Sequence, residues 1–278
     1  MTIAHSTSAG SGALLEVKDL AFSYSGARAV DGCSYQVTEG TITGVIGPNG
    51  AGKSTMMELL SGSLKPMSGS IRFRQVEIGG CGPVAAARLG IARTYQIPRL
   101  LNRLPVMENV LIGAPNQRGE NPIGAILRRR AWRSQESELR KEALEILKWL
   151  GLHGHFEAPA GVLSGGQRKL LELARAMMAH PTLLLLDEPT AGVFPELALL
   201  ISERVREISR QGVTVLIVAH NMGLLSAISD DVVVMAEGKV LTRGPLEVVR
   251  HHKEVISAYL GVESSARIGT SHEENSSA

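Results

Sequence analysis

The run Gly47-Pro48-Asn49-Gly50-Ala51-Gly52-Lys53-Ser54 sets glycines, a lysine and a hydroxyl at the spacing G-x-x-x-x-G-K-S. Glycines so placed let successive backbone N–H groups curl round phosphate oxygens where a helix begins. Lys53 would reach the β- and γ-phosphates of a nucleotide, and the Ser54 hydroxyl would ligate Mg²⁺, whose remaining positions are filled by phosphate oxygens and water. The alternative is a Gly-rich turn before a core helix. A second group follows Leu183 to Leu186, where Asp187 and Glu188 put two carboxylates at the end of an apolar run. There Asp187 would organise a Mg²⁺ shell and Glu188 would polarise an attacking water; without the glycine loop, the pair reads as a solvated turn. A third is Ser164-Gly165-Gly166-Gln167, ahead of RKLLELARAMMA. Its backbone and hydroxyl donors stand at the positive end of a helix, able to meet a phosphate or simply to cap that helix.

These groups need elements to hold them. TITGVIG before the loop reads as a buried strand and KSTMMELLSG after it as a helix ending at Gly62, a strand, loop, helix unit. From Leu14 to Val37, β-branched, aromatic and turn residues at short spacing suit antiparallel strands and hairpins, and SIRFRQVEI extends that β layer. Between about Pro83 and Leu150 strand signals fade. SQESELRKEALEILKWLG there sets Leu139, Ala143, Leu147 and Leu150 at helical spacing, so a helical subdomain is expected. Beyond it, LLLLD, a helix from about Pro195 to Ser209, VTVLIVAH, a short helix over MGLLSAIS and VVVMAEGKVL alternate as in a mostly parallel sheet covered by helices.

Length and composition narrow the field. At 278 residues, one α/β core with a smaller inserted subdomain is expected. With 29 Lys and Arg against 27 Asp and Glu, no field argues for nucleic acid or an anionic surface as the main partner. Cys33 and Cys81 are the only cysteines, so disulfide scaffolding, zinc and redox catalysis lack a basis, and a reducing cytosol suits the chain. The start, MTIAHSTSAGSG, reads as a loose leader rather than a secretory signal, and ESSARIGTSHEENSSA at the end as a mobile tail. Apolar runs are too short to cross a membrane. His153 and His155, and His251 with His252, lack companion ligands and read as surface residues; Arg128, Arg129, Arg130, Trp132 and Arg133 read as a solvated helix face, with lipid headgroups the alternative.

Leu163-Ser164-Gly165-Gly166-Gln167, just before the Asp187-Glu188 strand, resembles the signature motif of ABC ATPases. The resemblance runs from about Leu14 to Gly261. It implies an α/β fold: a P-loop ABC ATPase core with a mostly parallel sheet, an antiparallel β subdomain and an inserted helical subdomain over about 83–180, within a domain of residues 13–261. It also implies roles residue by residue. Gln96 in RTYQIPRL matches the Q-loop glutamine, at the γ-phosphate and Mg²⁺. His220 in VLIVAHNM matches the switch histidine, and Tyr24 in FSYSGARAV the aromatic that stacks on adenine. Taken singly, these residues read as a surface amide, a satisfied strand-end histidine and a core tyrosine; it is their occurrence together, in this order, that carries the resemblance. Thr55 joins Gly47 to Ser54 in the nucleotide cradle, and Ser164 to Gln167 complete a site across a dimer.

GIARTYQIPRLLNRLPVMENVLIGA, DEPTAGVFPEL, AHNMGLL and EVISAYLG are similar to importer subunits for branched-chain amino acids and related urea or amide systems. Two positions depart from that pattern. Ala219 precedes His220 where those subunits carry Glu, and Phe194 replaces the polar Asn or Asp of the D-loop. The resemblance implies ATP and Mg²⁺ as cofactors, a second ABC ATPase subunit, transmembrane permease subunits and, indirectly, a solute-binding protein as partners, no nucleic acid, and a peripheral place on the cytoplasmic face of the membrane. A soluble ABC ATPase without a transport role and the cytosolic subunit of an exporter are the competing readings. The long coiled coil of DNA-repair types and the two cassettes of ribosome-associated types are absent from this sequence.

Overall fold

A computed structural model describes residues 12–115, 117, 129–219 and 221–259. The tail, and the leader apart from Gly12, lie outside the described residues. Two compact units emerge, one of Pro83–Val215 and one of the chain on either side of it in sequence.

The flanking unit contains an antiparallel sheet in the order β2-β1-β4-β5, from β1 (Ala13–Tyr24), β2 (Ala27–Thr38), β4 (Ser68–Phe73) and β5 (Val76–Glu77). Alternation sets its buried face: Cys33, Tyr35 and Val37 are buried while Ser34 and Gln36 are exposed. Ser25 and Gly26 (φ 44° and 95°) turn β1 into β2, a left-handed pair whose twist matches the flanking strands. The same unit holds β3 (Ile42–Ile46), buried throughout, paired in parallel with β9 (Asp231–Ala236), against which β10 (Lys239–Gly244) runs antiparallel. A strand buried on both faces reads as a continuous apolar run, as ITGVI does. Helix α1 (Lys53–Leu60) leaves the end of β3 and stops at Ser61 before Gly62, which has positive φ. Thus TITGVIG and KSTMMELLSG form the strand and helix their patterns predict.

The Pro83–Val215 unit contains α2 (Pro83–Arg88), β6 (Ile91–Arg93), α3 (Val106–Leu111), α4 (Arg129–Trp149), α5 (Gly165–Met178), β7 (Leu183–Asp187) and α6 (Pro195–Arg210). Helix α5 packs against α3 and α4, whose Ala143 and Leu147, with Leu150 just beyond, are buried at helical spacing as predicted; Leu139 is half-buried. The buried Asn109 amide holds the loop before α3, accepting from the Leu101 N–H at 2.8 Å and donating to the Leu101, Leu104 and Pro105 carbonyls. One expectation is corrected within 83–150: β6 is a strand, paired in parallel with β7 from Ile91 opposite Leu183 to Arg93 opposite Leu185. Three residues are too few to carry a period, so the strand shows only in its pairing. Strand β8 (Thr214–Val218) crosses the division between the units, and α7 (Met222–Ile228), α8 (Leu246–Val249) and a helical stretch at 253–259 follow. Parallel pairing of β3 with β9 and of β6 with β7, together with an antiparallel sheet in the flanking unit, agrees with the α/β class expected. No helix among the described residues is long and apolar enough to cross a membrane.

Candidate functional site

In the flanking unit, β3 delivers the chain into the loop Gly47 to Gly52. A Cβ on Gly47 would overlap the Met235 carbonyl oxygen, and one on Gly52 (φ 95°) the Ala29 carbonyl oxygen, so the backbone comes closer to its neighbours than any side chain allows. Gly52 caps α1 with no side-chain hydrogen bond, and the first turn holds no acidic residue. The opening N–H groups of α1 therefore have no intrahelical acceptor, and its first turn carries no carboxylate of its own to oppose an anion. Lys53 is buried, and its Nζ donates to the Gly47 and Pro48 carbonyls at 2.8 and 2.9 Å, laying the ammonium over the loop. Thr55 is buried and Ser54 exposed. The Tyr259 phenol, from 253–259, hydrogen-bonds the backbone of Gly47, and burial raises its pKa. Spacing gave no hint of this residue.

Tyr24, at the end of β1, is half-exposed. Its hydroxyl donates to Glu58 Oε2 at 3.0 Å and its ring meets Phe22 edge-on at 4.9 Å, leaving aromatic surface open to solvent. His220 lies outside the described residues. Next to it Asn221 caps α7, accepting from the Leu224 N–H at 3.1 Å, and Ala219 is buried.

In the Pro83–Val215 unit, β7 carries four leucines and then Asp187, all buried. Arg93 on β6 meets Asp187 through Nη2 and Oδ2 at 3.2 Å, both side chains more than nine-tenths buried, and its guanidinium lies 4.9 Å from the Tyr95 ring. A buried carboxylate needs such a partner, because desolvation otherwise penalises its charge. Nothing local announces the pair, whose members stand 94 positions apart. Glu188 follows in a left-handed conformation (φ 48°), and its Oε2 accepts from Gln96 Nε2 at 3.0 Å. The structure thus brings together two residues nominated separately, the glutamine and the second carboxylate.

Ser164 to Gln167 form a capping box on α5: the Gln167 N–H donates to Ser164 Oγ at 3.3 Å and the Ser164 N–H to Gln167 Oε1 at 2.9 Å. This changes one detail of the expectation that the donors here are free. The backbone donors of Ser164 and Gln167 are used within the box, and the N–H groups of Gly165 and Gly166 are those without an intrahelical acceptor. His155 approaches Gln167 Nε2 at 3.3 Å from a short 3-10 turn, His153–His155. Phe194 precedes Pro195 at the start of α6, offers no side-chain cap and is 82% exposed.

The sequence matches the ABC transporter family model over residues 30–191, which span the glycine loop, Ser164 to Gln167 and Asp187 with Glu188. It is 39% identical over 252 residues to a probable branched-chain amino acid transport ATP-binding protein, LivG, of Archaeoglobus fulgidus, covering 91% of this chain and 97% of that protein. It is 38% identical to the high-affinity branched-chain amino acid transport ATP-binding protein BraF of Pseudomonas aeruginosa, covering 89% and 98%. The solved ADP conformation of MJ1267, an ATP-binding cassette of an ABC transporter, superposes with a TM-score of 0.78 at 35% identity, over 90% of this chain and 99% of that one. By family match, near full-length relatives and a shared fold, the chain belongs to the ABC transporter family as an ATP-binding, ATP-hydrolysing subunit.

Proposed function

We propose that this subunit spends ATP to drive import of branched-chain amino acids, or of related amino acids, urea or short amides, through a membrane permease. The observation that carries the nucleotide half is the uncapped start of α1 beside glycines that admit no Cβ. Gly47 to Thr55 hold the phosphates, with Lys53 turning from the loop carbonyls to the β- and γ-phosphates. Ser54, Asp187 and Gln96 offer the hard oxygen donors that suit Mg²⁺, which supplies neutralisation of the charge gathering on the transferred phosphoryl group. Glu188 takes the proton-accepting role toward the attacking water, steadied by Gln96. His220 contacts the γ-phosphate and Tyr24 stacks on adenine through its open ring face. Ser164, Gly165, Gly166 and Gln167 serve the nucleotide of a second ABC ATPase subunit.

The solute class rests on the names of the relatives, which are branched-chain amino acid transport ATP-binding proteins. Those names also favour a transport role over a soluble, non-transport one. Partners are then transmembrane permease subunits, a second ABC ATPase subunit and, indirectly, a solute-binding protein, with this chain peripheral on the cytoplasmic side of the membrane. The domain spans residues 13–261, with a helical subdomain at about 83–180. The test is uptake of labelled leucine into vesicles reconstituted with this chain, the second ABC ATPase subunit and permease subunits that co-purify with it from membranes, and a leucine-binding protein. ATP-dependent uptake that is lost with Glu188→Gln is expected. ATP hydrolysis without uptake of any branched-chain amino acid, urea or amide would overturn the solute assignment.

A further inference from the structure

Glu188 and Gln96 come from distant points of the chain, and one face of α5 holds both. Lys169, Glu172 and Arg175 stand three residues apart along this helix and so share a side of it. Lys169 Nζ donates to the main-chain carbonyl of Glu188 at 2.8 Å. Glu172 Oε1 accepts from the Arg99 N–H at 3.4 Å, and its carboxylate also takes the backbone donor of Tyr95. Arg175 Nη1 donates to the Arg99 carbonyl at 2.6 Å and pairs with Glu172 at 3.6 Å. The backbone on both sides of Gln96 is therefore tied to α5, as is the backbone of its hydrogen-bond partner Glu188.

Two features ask for more than packing as an explanation. Glu188 adopts a left-handed backbone, which a residue with a side chain keeps only where its surroundings over-determine it. The Lys169 ammonium, gripping the carbonyl of that same residue, is one such constraint. Glu172 is 2% exposed on a helix whose neighbouring positions are filled by Leu170, Leu171 and Leu173. Burial raises its pKa, opposed by the backbone donors of Arg99 and Tyr95 and by Arg175 and Lys169. An apolar side chain would fill that position without the cost of desolvating a carboxylate.

We propose that Lys169 and Glu172 are positioning residues for ATP hydrolysis, Lys169 aiming the Glu188 carboxylate through its carbonyl and Glu172 holding the backbone that presents Gln96. The proposal rests on Glu188 as the water-polarising group. Because Ser164 caps the same helix, a displacement of the first turn of α5 reaches Glu188 and Gln96 together through one rigid element.

Steady-state ATP hydrolysis by the full chain tests this, with kcat and KM measured for Lys169→Met, Lys169→Gln, Lys169→Arg and Glu172→Gln, in the parent and in the Glu188→Gln background. Lys169→Met is expected to lower kcat by about tenfold or more while KM for ATP stays within about twofold, with Lys169→Arg recovering most of the loss. Glu172→Gln, which keeps an acceptor oxygen, is expected to lower kcat less than Lys169→Met. In the Glu188→Gln background, Lys169→Met should change the residual rate by less than about twofold, since the carboxylate it aims is already gone. An equal loss in both backgrounds, a rise in KM at constant kcat, or turnover at the parent rate would overturn the proposal. Should Lys169→Met fail to fold by circular dichroism, the comparison passes to Lys169→Arg, which must retain turnover, and Lys169→Gln, too short to reach the carbonyl, which must lose it. Glu188→Gln at the parent rate would instead remove the water-polarising reading itself, whatever Lys169 does.

Discussion

At the scale of the residue, the glycine loop works by what it omits. Gly47 and Gly52 leave no room for a Cβ, so under the proposed role a phosphate would meet main-chain donors, with the Lys53 ammonium held over the loop by the Gly47 and Pro48 carbonyls. Lys53→Ala is expected to weaken ATP binding by about 2 kcal/mol or more, roughly thirtyfold, the worth of hydrogen bonds to a charged group. Equilibrium titration with ATP checks it, and unaltered affinity would remove the loop assignment. The loop was legible in the sequence because all its chemistry lies in consecutive residues. Arg93 was not, because its meaning comes from a carboxylate far along the chain, and Lys169 was not, because a lysine after a capped helix start looks like any solvated one. Tyr24 was legible as an aromatic, and only the fold adds its hydroxyl bond to Glu58.

Elements decide how firmly such residues stand. Two helix starts in this molecule differ in kind: α5 satisfies its own first turn with the Ser164–Gln167 box, whereas α1 opens with no side-chain cap. Ser164→Ala should therefore cost stability as well as any nucleotide contact, by about 1 kcal/mol for the lost cap. In thermal unfolding that corresponds to a fall of roughly 2–4 °C for a protein of this size. An unchanged melting temperature would mean that the box contributes nothing in solution. The periodic helices and fully apolar strands were legible, since burial imposes a period or a continuous run on them. Strand β6 was hidden by its shortness. The turn between β4 and β5 was hidden as well, because Arg74 and Gln75 take positive φ without the glycine or asparagine that usually marks such a turn.

At the scale of the molecule, the two cysteines report on the flanking unit. Cys33 on β2 is fully buried and its Sγ donates to the Gly238 carbonyl at 3.0 Å, in the turn between β9 and β10; Cys81 is exposed. Burial pushes the Cys33 thiol up to about 11. A maleimide should label Cys81 in the native protein and reach Cys33 only after denaturation, as mass spectrometry of labelled peptides would show. Equal labelling rates would contradict the packing of β2 beside that turn. The thiol stays protonated in the fold while an unfolded cysteine ionises near about pH 8.5, so the native state binds the extra proton between those values. Its contribution to stability is complete below the unfolded pKa and is lost as pH rises from there toward the folded value. Melting temperatures compared between the parent and Cys33→Ala from pH 8 to 10 check the sign: the parent should fall more steeply.

One of the two units begins at Pro83, where strand signals fade in the sequence, but it runs on to Val215 and includes the strands β6 and β7. What no local pattern discloses is the pairing of distant residues, above all the hydrogen bond from Gln96 to Glu188, the two groups proposed to act in hydrolysis. The central claim is that this chain binds ATP through its glycine loop and hydrolyses it through Glu188. The most direct measurement is single-turnover hydrolysis of ATP by the parent chain and by Glu188→Gln, at ATP concentrations that saturate both. Glu188→Gln is expected to keep ATP affinity within about threefold of the parent and to hydrolyse more slowly by about a hundredfold or more, as loss of a proton-accepting group implies. Hydrolysis by Glu188→Gln at the parent rate, with ATP bound, would contradict it.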